Sequence, residues 1–135
     1  MKNKTGGLAA LVFAVMMALL AGCSGNSGNM VRILSISPDI NAGLAEGARI
    51  DIEVTLEYKL KQDNGSVSLV IEDAQDAPVG SLREPIKKGA GKLTLKRTIT
   101  VPKTGALSVF TPLTPEGETT TYIVDKRMFK VTPKK

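Results

Sequence analysis

The sequence has no histidine and no tryptophan, a single cysteine, and two tyrosines and three phenylalanines as its only aromatic rings in 135 residues. Without histidine there can be no Ser-His-Asp triad and no Cys/His zinc centre. One cysteine forms no intramolecular disulfide, so whatever that thiol does, it does alone. The remaining routes to catalysis are also missing: no Ser-x-x-Lys, no Gly-x-Ser-x-Gly and no Gly-rich phosphate loop occurs. No active site can be assembled from these residues, and no cofactor is expected. The length suits one domain of about 100 residues.

The chain does have a three-part N-terminus. Lys2 and Lys4 give it a positive start, fourteen apolar residues run from Leu8 to Ala21, and Gly22-Cys23 closes the run. That is the layout of a secretory signal peptide. As a helix the run spans about 21 Å, short of the roughly 30 Å hydrocarbon core, which argues against a permanent transmembrane span.

Leu20-Ala21-Gly22-Cys23 resembles the lipobox of bacterial lipoproteins: a branched apolar residue, two small residues, then cysteine. The chemistry needs this spacing, because the thiol is the nucleophile that accepts a diacylglyceryl group and small residues let the chain enter the peptidase. The resemblance implies cleavage after residue 22, acylation of Cys23 and attachment to a bilayer. Two or three acyl chains hold stably where one does not. Ser24 after the cysteine resembles outer-membrane cargo if the host is Gram-negative. Ser24 to Asn29 is a polar Ser/Gly/Asn tether with an r.m.s. span of roughly 12 to 15 Å, so residues 23–30 read as lipidated cysteine and leash, and 31–135 as the domain.

From Met30 on, the hydrophobic period is two. Strand-like runs cover Val31–Ser37, Ala48–Leu60, Val67–Glu72, Lys92–Val101, Ala106–Thr111 and Thr119–Thr132, and no 3.6-residue stripe competes. Turn chemistry falls at Pro38-Asp39, Gly43, Gly47, Gly89-Ala90-Gly91, Pro102–Gly105 and Pro112–Gly117, and Asn64-Gly65 predicts a hairpin. Pro78 and Pro85 place residues 77–88 at a sheet edge or in a loop. Six to seven short strands predict an all-β, antiparallel sandwich. The order of these runs resembles immunoglobulin-like or fibronectin type III-like modules, without their paired cysteines or core tryptophan. Tyr122, in a Thr-rich stretch, resembles a tyrosine corner.

Charge divides along the chain. Residues 24–86 carry 5 Lys+Arg against 10 Asp+Glu, and residues 87–135 carry 11 against 3. One reading is that Lys126, Arg127, Lys130, Lys134 and Lys135 contact an anionic surface. The other is internal pairing. In such a fold the second strand lies beside the fifth, which sets Asp51, Glu53 and Glu57 near Lys92 and Lys96. Arg97 shares parity with Leu95 and Ile99, so either a bulge turns it outward or its stem covers the core margin while its head reaches water. Glu72, Asp73 and Asp76 are the densest acidic cluster and weak candidates for a calcium site, but a solvated turn explains them as well.

The lipoprotein resemblance implies a non-catalytic interaction or structural module of the cell envelope, meeting an envelope protein through residues 77–88 and the strand from Thr119, with no nucleic-acid partner. An inhibitor or enzyme acting on wall or secreted substrates through Pro112–Gly117, and a binder of anionic polymer, are the alternatives.

Overall fold

The computed structural model describes residues 28–118 and 123–134. The expected export signal, Cys23, most of the expected tether, Tyr122 and Lys135 lie outside the described residues. Among the described residues six strands form: β1 (Met30–Ser37), β2 (Leu44–Ala45), β3 (Arg49–Asp73), β4 (Pro78–Thr100), β5 (Ala106–Pro115) and β6 (Ile123–Thr132). The only helical element among the described residues is a 3₁₀ turn, Ile40–Ala42, capped by the Asp39 carboxylate. The hydrogen-bonded path runs β1-β3-β5-β6-β2, with β4 beside β3.

The sandwich is made by one long ribbon folded back on itself. The first half of β3, Arg49 to Leu60, pairs with Gly89 to Thr100 of β4 and, on its other side, with β1. Its second half, Asn64 to Asp73, pairs with Pro78 to Lys87 of β4 and with β5. The register shifts between Leu60 and Asn64, where the ribbon bends from one layer to the other. Ile52, Val54, Leu56 and Leu60 then face Val67, Leu69 and Ile71, all 1% exposed or less. Among the described residues Phe129 is the one fully buried aromatic side chain, and the core they form is otherwise aliphatic. The ladders are antiparallel, except that β2 pairs in parallel with β6 over two residues.

Asn64-Gly65 is therefore not a hairpin turn. The two alternating runs flanking it do not pair with each other, because their apolar rows bury more surface stacked across the core than side by side in one sheet. Gly65 serves close approach instead: a Cβ there would stand 2.9 Å from the Thr114 carbonyl oxygen and 3.0 Å from Leu60 Cδ2. Gly89-Ala90-Gly91 likewise forms no turn. It is the matching bend in β4, with Leu60 opposite Gly89 and Tyr58 opposite Gly91. The Tyr58 ring occupies the space where a Gly91 side chain would go. The ribbon's true hairpin is Asp73 to Ala77, with Asp76 at φ 62°.

Two boundaries also shift. Asn29, assigned by composition to the leash, is only 6% exposed, and its side chain accepts the Lys61 N–H at 2.7 Å and donates to Gln62 at 2.9 Å. The domain begins there. Pro112 to Pro115 belong to β5, so only Glu116 and Gly117 remain as turn in the proposed loop. Residues 78–87 do lie at a sheet edge, since β4 pairs with β3 alone.

Candidate interaction surface

The two outer faces of the sandwich differ in chemistry. On the β1-β3-β4 layer the register sets Glu53 opposite Lys96, Glu57 opposite Lys92, Thr55 opposite Thr94 and Asp51 opposite Thr98. Lys96 Nζ lies 3.5 Å from Asp51, and Thr98 donates to the same carboxylate. The Thr98 hydrogen bond first, and then Lys96, hold the Asp51 carboxyl below its ordinary value. Glu57 is 2% exposed, and the Arg32 guanidinium reaches both its oxygens, at 2.9 and 3.2 Å. Of the expected pairings between the acidic and basic halves, Asp51 with Lys96 is the ion pair formed among the described residues, while Glu57 pairs with Arg32 of its own half.

Arg97 settles by the second of its two routes. Its ladder partner is Ile52 with no register shift nearby, and its stem passes over Gly80, whose added Cβ would lie 3.4 Å from Arg97 Cγ. The residue as a whole is exposed.

The opposite layer, formed by the first half of β4, the second half of β3, β5 and β6, presents apolar side chains to solvent. Inward positions of β5 are Leu107, Val109, Thr111 and Leu113, which sends Ser108, Phe110 and Pro112 outward. Val70 pairs with Phe110, Pro112 with Val124 and Ser108 with Met128. Val124 is 49% and Met128 53% exposed, while Val70, Phe110 and Pro112 are half-buried. An open hollow of about 290 Å³ lies on this face, lined by Glu72, Phe110, Pro112, Val124 and Lys126. The two regions expected to make contacts, 77–88 and the last strand, are the margins of this layer. Its centre, Val70 and Phe110, escaped the sequence reading, although the alternation in Ala106–Thr111 carries it.

The basic residues do not form one group. Lys126 and Lys130 are exposed on the outer side of β6, whereas Arg127 belongs to the inward-facing row with Phe129 and Val131. There it donates to Asp125 at 2.7 Å and to the Ile33 carbonyl at 3.5 Å. Lys134 lies at the far end of the sandwich, beside Gly47, away from Gly28 where the leash enters.

The acidic cluster resolves into the hairpin. Asp73 Oδ1 accepts the main-chain N–H of Gln75 at 2.8 Å and of Ala77 at 2.9 Å, which is the work of a turn-forming carboxylate. Among the described residues no three His, Cys, Asp or Glu side chains converge on a point where a cation could sit.

No protein-family model matches the chain, and no curated protein does. Solved structures do match. A putative β-galactosidase from Bacteroides fragilis aligns over 75% of this chain and 16% of its own, at 13% identity and a TM-score of 0.54. A β-glucuronidase of glycoside hydrolase family 2 aligns over 76% of this chain and 11% of its own, at 14% identity and a TM-score of 0.53. The chain thus spans a small fraction of the enzymes it is similar to, and at this identity the likeness is one of β-sandwich fold.

Proposed function

We propose that the chain is a membrane-anchored envelope lipoprotein whose immunoglobulin-like domain is a non-catalytic protein-interaction module. The lipobox-like Leu20-Ala21-Gly22-Cys23 supports the anchor. The contrast between the sandwich's faces carries the second half: one is lined by charged and threonine side chains, among them the ion pairs Asp51–Lys96 and Glu57–Arg32, and the other presents half-buried Val70, Phe110 and Pro112 beside exposed Val124 and Met128. A cluster of this kind on a sheet face marks an interaction surface. The glycosidase neighbours fit a non-catalytic role, because the region they share with this chain is a minor part of each enzyme and Asp73 is occupied in its own turn.

Asn29 is fixed beside Lys61 and Gln62, so a leash of about five residues joins acylated Cys23 to that end of the sandwich. Lys134 then points away from the anchoring bilayer, which weighs against its gripping that same membrane.

The test is expression of the full chain in a bacterial host beside Cys23→Ser. The reading predicts a membrane-bound, acyl-labelled mature protein that begins at Cys23, with label and membrane association both lost in the variant. Equal membrane association without acyl label in both proteins would contradict it.

A further inference from the structure

We infer that the apolar face is the interface of a homodimer in which two copies stack β5 over β5. This deepens the interaction-module reading by naming the partner as a second copy of the chain. Over β3, β5 and β6 the face has three bands, and the exposed Arg83 stands outside them on β4. Glu72 stands on the β3 side, Ser108, Phe110 and Pro112 form the middle on β5, and Lys126, Met128 and Lys130 stand on the β6 side. Neither Glu72 nor Lys126 makes an ion pair among the described residues.

An apolar centre with opposite charge on its two flanks is self-complementary under one two-fold axis. Rotating a copy about an axis along β5 lays its β6 over the second half of the first copy's β3. Phe110 then meets Phe110 near the axis, where two rings gain offset or edge-to-face contact. By the ladder register, the row of Glu72 and Ser108 is also the row of Met128, with Lys126 and Lys130 each two residues away along β6. Each lysine is thus about 7 Å from Glu72 along the strand direction, within reach of its flexible stem. Symmetry makes every such contact twice. The other in-plane axis, across the strands, sets β6 over β6 and brings lysine onto lysine, so charge selects the first arrangement.

The size of the face fixes the strength. The three overlapping strands, spaced about 4.8 Å and about seven residues long, cover roughly 14 by 23 Å. That is about 650 Å² buried over both copies, in the range of weak, transient association. The dimer is therefore weak in solution and is favoured where anchoring concentrates the chains on a surface.

The test uses two differently tagged full-length copies co-expressed in one bacterial host, with co-purification from solubilised envelopes as the readout. Wild type should capture wild type. Glu72→Lys with itself, and the double variant Lys126→Glu/Lys130→Glu with itself, should each lose about ten-fold in capture, since like charges then meet at both symmetric contacts. Glu72→Lys co-expressed with the double variant should regain capture close to wild type, which a merely destabilised fold could not do. Equal capture in all pairings would overturn the dimer. Capture of a different protein through this face, with no second copy, would overturn the dimer and leave the interaction module standing. No capture of any protein would count against both.

Discussion

Asp125 and Ile33 join the two layers across the edge of the sandwich: Asp125 Oδ2 accepts the Ile33 main-chain N–H at 2.8 Å. The bond falls beside the register shift between Ile33 and Ser35, on the side of β1 that no strand pairs. Arg127 comes from the same row of β6, bound to Asp125 and reaching the Ile33 carbonyl. Two charged side chains facing inward on the last strand thus close a seam that main-chain pairing leaves open.

Burial alone would raise the Asp125 carboxyl, but the Ile33 N–H, the Arg127 guanidinium and the Lys126 N–H outweigh it and hold the group below its ordinary value. A depressed carboxylate stabilises the fold above its unfolded value near 3.8 and loses that contribution as pH falls through the folded value. Asp125→Asn should lower stability by about 2 kcal/mol at neutral pH, the scale of a charge-assisted hydrogen bond. The gap to wild type should close under acid. Urea midpoints of both proteins across the acid range measure this; a gap constant with pH would remove the charge from the account.

Glu57 depends on Arg32 in the same way within one layer. Its side chain is 3% exposed against 28% for Arg32, so removing the arginine strands a buried carboxylate. Arg32→Met should cost about 2–3 kcal/mol, and Glu57→Gln together with Arg32→Met should recover part of it. Thermal melts of both single variants and the double decide this, since a loss in the double equal to the sum of the two single losses would show no coupling.

The bend in the ribbon rests on glycine for space. Gly65→Ala should destabilise by about 1–3 kcal/mol, because the Thr114 carbonyl and Leu60 must move to admit a methyl group. Gly105→Ala, with nothing within 4 Å of the added Cβ, is the matched control and should change the melting temperature little.

The proposed acylation of Cys23 implies a further outcome in the same preparations. Cys23→Ser should leave the domain's melting temperature unchanged while removing it from the membrane, since Asn29, at the domain's first turn of chain, is already held by Lys61 and Gln62. A large drop in melting temperature would mean that the anchor region packs on the domain.

Most of the sandwich was legible because a period of two persists through Ile50 to Leu60, Val67 to Ile71 and Leu107 to Leu113, and each row lands in the core. The cross-strand pairing of Glu53 with Lys96 followed from strand order alone. What misled was glycine. Asn64-Gly65 and Gly89-Ala90-Gly91 carry the chemistry of turns, yet here the missing Cβ serves close packing at a bend, which depends on Thr114, Leu60 and Tyr58, residues distant in sequence or across the ladder. Arg127 was grouped with surface lysines because its parity with Phe129 was outweighed by the run of positive charge around it. The apolar face was hidden for a related reason: Phe110 and Met128 look like core residues until the inward row of each strand has been counted.

The central claim is that this chain meets its partner through the Phe110 face. Photo-crosslinking in intact envelopes tests it most directly, with a benzophenone side chain placed at Phe110 or Val124 on one face and at Thr94 or Thr98 on the other. The account predicts protein adducts from the first pair and none above background from the second. Equal adducts from both faces, or adducts only from Thr94 and Thr98, would contradict it.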